Sequence, residues 1–190
     1  MTDPTLTPNL TETLEFLNHI NPGFPRRVFT IDPASGKMTA VIFKTEEDQA
    51  LTAWLLAGAG LLNYYFLPNL PLEGLGPVKP KKRDIEWVTH FWVDVDVTGT
   101  STLEALQKHK PKPSCIIFSG GGFQAFWALE TPMQDFTRAE RINKALASDL
   151  GGDSCHSVDH LMRLPGTINV PNASKTAKGR VPTLAYVVKS

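Results

Sequence analysis

Apolar positions along this chain recur with two periods, one helical and one of strands. Over residues 10–20, Leu14, Phe16 and Leu17 fall at helical spacing. They predict a short amphipathic helix with Thr11 or Thr13 as N-cap and Asn21-Pro22-Gly23 as its stop. Residues 27–31 and 37–43 are β-rich runs flanking Asp32-Pro33-Ala34-Ser35-Gly36, which predicts a hairpin. Thr45 to Asp48 sets a cap and acids at the start of a second helix that ends near Gly58 or Gly60. A third strand over 63–67 leads into a proline-rich loop over 68–80. The central strand spans 87–97, and a short helix over 101–109 is closed by Pro111 and Pro113. Strands over 114–118 and 123–129 pair across Gly120-Gly121-Gly122. A helix over 138–150 puts Ile142, Ala145, Leu146 and Leu150 on one face and stops at Gly151-Gly152. Residues 153–172 are irregular, and 181–188 read as a last strand. Hairpins alternating with helices predict an α+β fold with a mainly antiparallel sheet.

The central strand carries the chemistry. In His90-Phe91-Trp92-Val93-Asp94-Val95-Asp96-Val97, Asp94 and Asp96 share one face, and Phe91, Val93, Val95 and Val97 occupy the other. Two carboxylates side by side repel unless a cation or proton lies between them. Hard divalent ions such as magnesium prefer oxygen ligands of this kind. A solvated strand face near a turn gives the same pattern, so the pair alone does not decide.

Composition narrows the field. With 190 residues, 42% hydrophobic and 20% charged, the chain is long enough for one substantial core. No apolar run approaches the ~20 residues of a membrane span. Residues 1–5 lack the regions of a signal peptide, so the cytoplasm is the expected location. The formal net charge is zero, which excludes a uniformly basic protein but not a basic groove. Lysines and arginines gather at 79–83, at 108–112 and at 175–180, bordering the motifs. Cys115 reads as a small buried hydrophobe. Cys155 stands beside His156, yet two cysteines cannot complete a four-ligand zinc site.

Two further stretches stand out. Gly120-Gly121-Gly122 after a strand is either a hairpin turn or a set of free amides able to cradle phosphate. It is not a P-loop, because no Gly-Lys-Ser/Thr follows. Ser119 and Gln124 on either side are neutral donors for a phosphate or sugar. In Asp159-His160-Leu161-Met162-Arg163-Leu164-Pro165-Gly166-Thr167-Ile168-Asn169, an acid and an arginine lie four apart. On a helix turn they form a simple ion pair. Facing the Asp94 strand, they become a third metal ligand and a planar fork for a triphosphate. Spacing leaves both open.

In this order, the strand ending in Asp94-Val95-Asp96, the segment Ser119-Gly120-Gly121-Gly122-Phe123-Gln124 with Trp127, and the run from Asp159 to Asn169 resemble the three motifs of the archaeo-eukaryotic primase superfamily. The likeness covers roughly residues 85–172, and within that superfamily it points to the plasmid- and phage-encoded RepB-like group. It implies an RRM-like antiparallel catalytic sheet with flanking helices (about 85–190), packed against a small N-terminal α/β module (about 1–84). The implied activity is template-dependent primer synthesis or DNA polymerisation by a two-metal mechanism. Asp94, Asp96 and Asp159 would hold magnesium or manganese. Ser119, Gly120, Gly121, Gly122, Gln124, Arg163 and Lys175 would bind the nucleotide. Implied partners are a single-stranded DNA template, dNTPs or NTPs, and a replicative helicase, with no membrane. Two departures matter: Gln124 stands where the family usually has a phosphate-contacting histidine, and the third carboxylate is ambiguous, with Ser157 in the alternative slot and Asp153 an outside candidate. The alternative function is a catalytically weak single-stranded nucleic-acid-binding module that recruits replication partners. Trp127 and Phe126 read as core rather than base-stacking residues.

Overall fold

In the computed structural model, which describes residues 6–189, the first helix, α1, covers Leu10–Ile20. Its cap is Asn9, whose side chain accepts the Glu12 amide at 3.2 Å. Thr13 is not the cap. It is buried, and its hydroxyl donates to the Pro165 carbonyl at 2.8 Å, docking α1 on the turn at 164–167. Strands β1 (Arg26–Ile31) and β2 (Met38–Phe43) form the expected hairpin, with Val28 opposite Val41. Helix α2 (Asp48–Ala57) starts after Glu47, whose carboxylate accepts the Lys44 amide at 2.7 Å. Thr45 donates to Glu46 and does not cap.

Next come β3 (Asn63–Phe66), β4 (Leu70–Pro71) and the long β5 (Ile85–Val95), then α3 (Thr100–Lys108). Strand β6 (Cys115–Phe118) turns into β7 (Phe123–Met133). β7 continues past Glu130-Thr131-Pro132 because a bulge opposite Val88–His90 absorbs those residues. They are exposed there, where proline's missing N–H costs no ladder bond. Helix α4 (Phe136–Leu150) is capped by Asp135 and ends at Gly151, whose φ of 68° is left-handed. The remainder is short pieces: β8 (Met162–Arg163), β9 (Ile168–Asn169), α5 (Ala173–Ala177), β10 (Thr183–Leu184) and β11 (Tyr186–Val187). The expected strand over 181–188 is split because Ala185 turns aside to exchange backbone bonds with Gly166 and Thr167.

Two antiparallel sheets result, β2-β1-β3-β8 and β11-β6-β7-β5-β4, with β9 and β10 as a separate ribbon. β8 comes from the second half of the chain but pairs with β3, placing Tyr65 opposite Arg163. The segments 1–84 and 85–190 therefore share a sheet. The facing surfaces of the two sheets and α1 enclose one core, including Phe16, Phe66, Trp92, Phe126 and Met162. On the outer face of the larger sheet, Val93, Val95, Ala125 and Trp127 pack with Leu106 of α3 and Leu146 of α4. β5 is thus covered on both sides, which explains why it reads as a near-continuous apolar run. Its even-numbered residues face the smaller sheet. Among the described residues no helix is long and apolar enough to cross a membrane; residues 1–5, read above for a signal peptide, lie outside them.

Candidate active site

Sheet pairing leaves the outer edge of β5 short of partners, because β4 covers only its start. Buried backbone amides need acceptors, and side-chain amides supply them. Asn69 Oδ1 accepts the amides of Thr89 and His90 at 2.9 and 3.2 Å, and Asn143 Oδ1 of α4 accepts that of Trp92 at 3.1 Å. The Trp92 indole donates to the Cys155 carbonyl at 2.8 Å, and the Asp153 amide donates to the Asp94 carbonyl at 2.7 Å. These contacts fix the end of β5 that carries Asp94. Asp96 lies one residue beyond the strand and is exposed.

At that end a cavity of about 170 Å³ opens between the two sheets. Asp94, Asp96, Ser119, Gly120, Gly121 and Gln124 line one side; Tyr65, His160, Arg163, Asn169, Lys175 and Arg180 are on the others. Gln124 stands directly across the ladder from Asp94. Its Nε2 donates to Asp94 Oδ2 at 3.0 Å, and its Oε1 accepts the Arg163 backbone amide at 3.0 Å. The other carboxylate oxygen, Asp94 Oδ1, is buried and has no hydrogen-bond partner among the described residues. The Ser-Gly-Gly-Gly turn closes so tightly that a β-carbon on Gly122 would collide with the Val95 carbonyl. One on Gly121 would meet the Arg180 guanidinium, which lies over the turn.

Arg163 is the buried cation of the site. Its Nη1 donates to Asn63 Oδ1 at 2.9 Å; its Nη2 donates to the Tyr65 hydroxyl at 2.9 Å and to Asn169 Oδ1 at 3.0 Å. The guanidinium also lies 4.3 Å from the Tyr65 ring centroid. Its hydrogen-bond partners are all neutral. Burial pushes its pKa down, and the Tyr65 side chain and the Asp94 charge work against that. Burial likewise pushes the Asp94 carboxyl up to about 6; the Gln124 hydrogen bond pulls it down, and Asp96 and Asp153 push it further up. A carboxylate that is buried, crowded by like charges and short of a donor is stabilised by a cation. Asp94 Oδ1 and the exposed Asp96 carboxylate beside it are oxygen donors suited to magnesium or manganese, which commonly take one or two carboxylates and complete their shells with water and phosphate.

Asp94, Asp96, Ser119, Gly120, Gly121, Gln124, Arg163 and Lys175 therefore converge on one cleft; Gly122 does not line it and packs against the Val95 backbone. Asp159 does not line it: its carboxylate accepts from the Ser157 hydroxyl, and the next two residues, His160 and Leu161, face the cleft instead. The helical ion pair between Asp159 and Arg163 is absent too, because Arg163 is in β8. Among the described residues no three His, Cys, Asp or Glu side chains are grouped to hold a metal. The third carboxylate acting on Asp94 is that of Asp153, exposed on the loop after α4. Tyr65, Asn63, His160 and Arg180 join the site beyond the residues the sequence predicts for it, Arg180 from the basic cluster at 175–180. Of the other clusters, Lys82 pairs with Glu140 at 2.7 Å and Lys108 with Glu104 at 2.8 Å. Burial pushes the Cys155 thiol up to about 11, helped by Asp94, Asp153 and Asp96.

A curled antiparallel sheet with flanking helices, joined to a second sheet across a charged cleft, makes an α+β domain. Solved structures share this fold. A crystal structure of primase RepB' matches with a TM-score of 0.69 at 15% identity, over 96% of this chain and 57% of that one. The primase-polymerase AEP domain of cyanophage S-2L matches with 0.66 at 16% identity, over 97% and 91%. The catalytic domain of primase RepB' in complex with initiator DNA matches with 0.66 at 16% identity, over 95% and 85%. The chain thus spans little more than half the length of the first of these. No curated protein sequence matches it. The RepB DNA-primase N-terminal domain family matches residues 31–187, and the chain belongs to that family.

Proposed function

We propose that this domain catalyses template-directed nucleotidyl transfer, as a primase or primase-polymerase in the replication of a plasmid, phage or other mobile element. The observation that carries the reading is the half-satisfied carboxylate: Asp94 Oδ1 is buried and without a partner among the described residues, and Asp94 and Asp96 line a cleft with Arg163, Lys175 and Arg180. Asp94 and Asp96 would hold magnesium or manganese, and the nearby Asp153 carboxylate adds negative charge. Bound there, two such ions would lower the pKa of a primer 3′-hydroxyl and neutralise the leaving pyrophosphate.

The chain's own groups do the rest. The Ser119 amide is held by the Gly122 carbonyl, so the amides of Gly120 and Gly121, with Lys175 and Arg180 at the rim, form a cradle for a triphosphate. Arg163, with both terminal nitrogens engaged by protein acceptors, acts through its charge rather than as a free fork. A single-stranded DNA template would be held through its phosphates, so its binding should weaken as salt rises. The DNA-bound primase RepB' domain of the same fold supports this partner. A replicative helicase is a further partner for such a domain.

One observation favours the binding-module alternative: no side chain in the cleft offers a histidine cation at the Gln124 position, and Arg163 is occupied. Primer extension and de novo synthesis on single-stranded DNA, with magnesium or manganese, separate the two. The wild type should incorporate nucleotide. The Asp94→Ala, Asp96→Ala double variant should lose at least a hundredfold in rate, the scale of removing one group that stabilises transition-state charge. A wild type that shifts single-stranded DNA yet makes no product would establish the alternative.

A further inference from the structure

We infer that Gln124 is a positioning residue for Asp94 and not a phosphate-binding residue. The inference rests on the proposed role of Asp94 as a cation ligand. A primary amide has one carbonyl acceptor and two N–H donors, and this one is committed at both ends. Nε2 holds Asp94 Oδ2, and Oε1 holds the backbone amide of Arg163. The residue is 5% exposed. Its two contacts tie β5 and β7 of the larger sheet to β8 of the smaller one at the floor of the cleft.

The consequence for Asp94 is directional. With Oδ2 pinned, the carboxyl plane cannot rotate to offer either oxygen indifferently, so Oδ1 is the oxygen left without a partner among the described residues. The hydrogen-bond partners of ligating carboxylates orient them, and their loss typically costs 10–100-fold in metal affinity or activity. Only the second Nε2 hydrogen is left over from these two contacts, and a glutamine that rotated its amide toward a triphosphate would release both Asp94 and Arg163.

The test uses the whole domain without nucleotide, where a residue that touches only phosphate has nothing to contact. Manganese binding is followed by electron paramagnetic resonance and calorimetry for wild type, Gln124→Met and Gln124→Asn; the Asn variant keeps the amide but withdraws it by one methylene. Both variants should bind manganese ten- to a hundredfold more weakly and lose kcat, with KM for the nucleotide unchanged within about twofold. Thermal melts identify any variant that fails to fold, and the other then carries the measurement. Unchanged manganese affinity with a raised KM would overturn the inference and return Gln124 to the phosphates. If wild type itself binds no manganese, or binds it equally well as Asp94→Asn, the cation-ligand reading falls and the inference with it.

Discussion

His90 and Asp94 are four residues apart on the same face of the same strand, and burial displaces both from their ordinary titration. Desolvation pushes the imidazole down to about 4, against a raising contact with Pro68, and it pushes the carboxyl up to about 6. In both cases the neutral form is favoured. The surroundings differ. His90 Nδ1 lies 2.9 Å from the Thr89 hydroxyl, which also donates to the Pro68 carbonyl at 2.9 Å. His90 therefore has an ordinary polar partner. Asp94 has one oxygen bonded and one orphaned, two carboxylates pressing on it and a guanidinium across the cleft. A displaced pKa alone does not identify a functional residue; an unsatisfied polar atom on a residue that lines a cavity is the sharper mark.

The strongest way to break that contrast is to remove the cation of the site. Arg163→Met leaves the Tyr65 hydroxyl and Asn169 Oδ1 without their donor and ends the stacking on Tyr65. The expected loss in unfolding free energy is about 3–5 kcal/mol, measured by urea titration. A loss under about 1 kcal/mol would mean that the Asp94 end of β5 does not depend on this buried charge.

Protonation tests the two residues against each other. Between about pH 4 and 6.5 the unfolded chain binds a proton at His90 that the folded chain refuses, so this contribution to stability is intact above pH 6.5 and is lost as pH falls toward 4. Asp94 has the opposite sign. Its raised pKa favours folding below 3.8, and that contribution is lost as pH rises through about 6. Each is worth about 3 kcal/mol, so in metal-free wild type they largely cancel between pH 4 and 6. His90→Gln should unmask a fall in stability with rising pH across that window, and Asp94→Asn a rise. Denaturant midpoints at pH 4.5 and 7 check it; slopes of the same sign in the two variants would refute the contrast.

The pieces of this site differ in how far they could be read from the chain. Strand periodicity is local, so it places Asp94 on one face and Val93 and Val95 on the other, and the glycine turn brings Gln124 close to its place across from Asp94. α1 and the first hairpin were legible for the same reason. The Arg163 network was not. Tyr65 and Asn63 lie about a hundred residues before Arg163 and reach it only because β8 adds two residues to β3. Elements of two residues carry no periodicity, so neither that pairing nor the division of the last strand left a pattern. Asp159 failed to appear in the cleft because 157–161 is a turn, in which Ser157 draws the carboxylate away. The neighbouring loop brings Asp153 to the Asp94 backbone instead.

The finest test concerns what satisfies His90. Thr89→Val keeps the shape of the side chain while removing the hydroxyl that meets His90 Nδ1 and donates to Pro68. Both are neutral contacts in a partly buried setting, where a hydrogen bond contributes about 1 kcal/mol. Urea unfolding at pH 7 should therefore show a loss of about 1–2 kcal/mol, smaller than the Arg163→Met effect by a factor of about two or more. Nucleotide incorporation should not change, because Thr89 is five residues from Asp94 along β5 and does not line the cleft. An unfolding loss equal to that of Arg163→Met would show that the His90 end is held as tightly by its polar contacts as the Asp94 end, and the distinction between the two residues would then rest on the orphaned carboxylate oxygen alone.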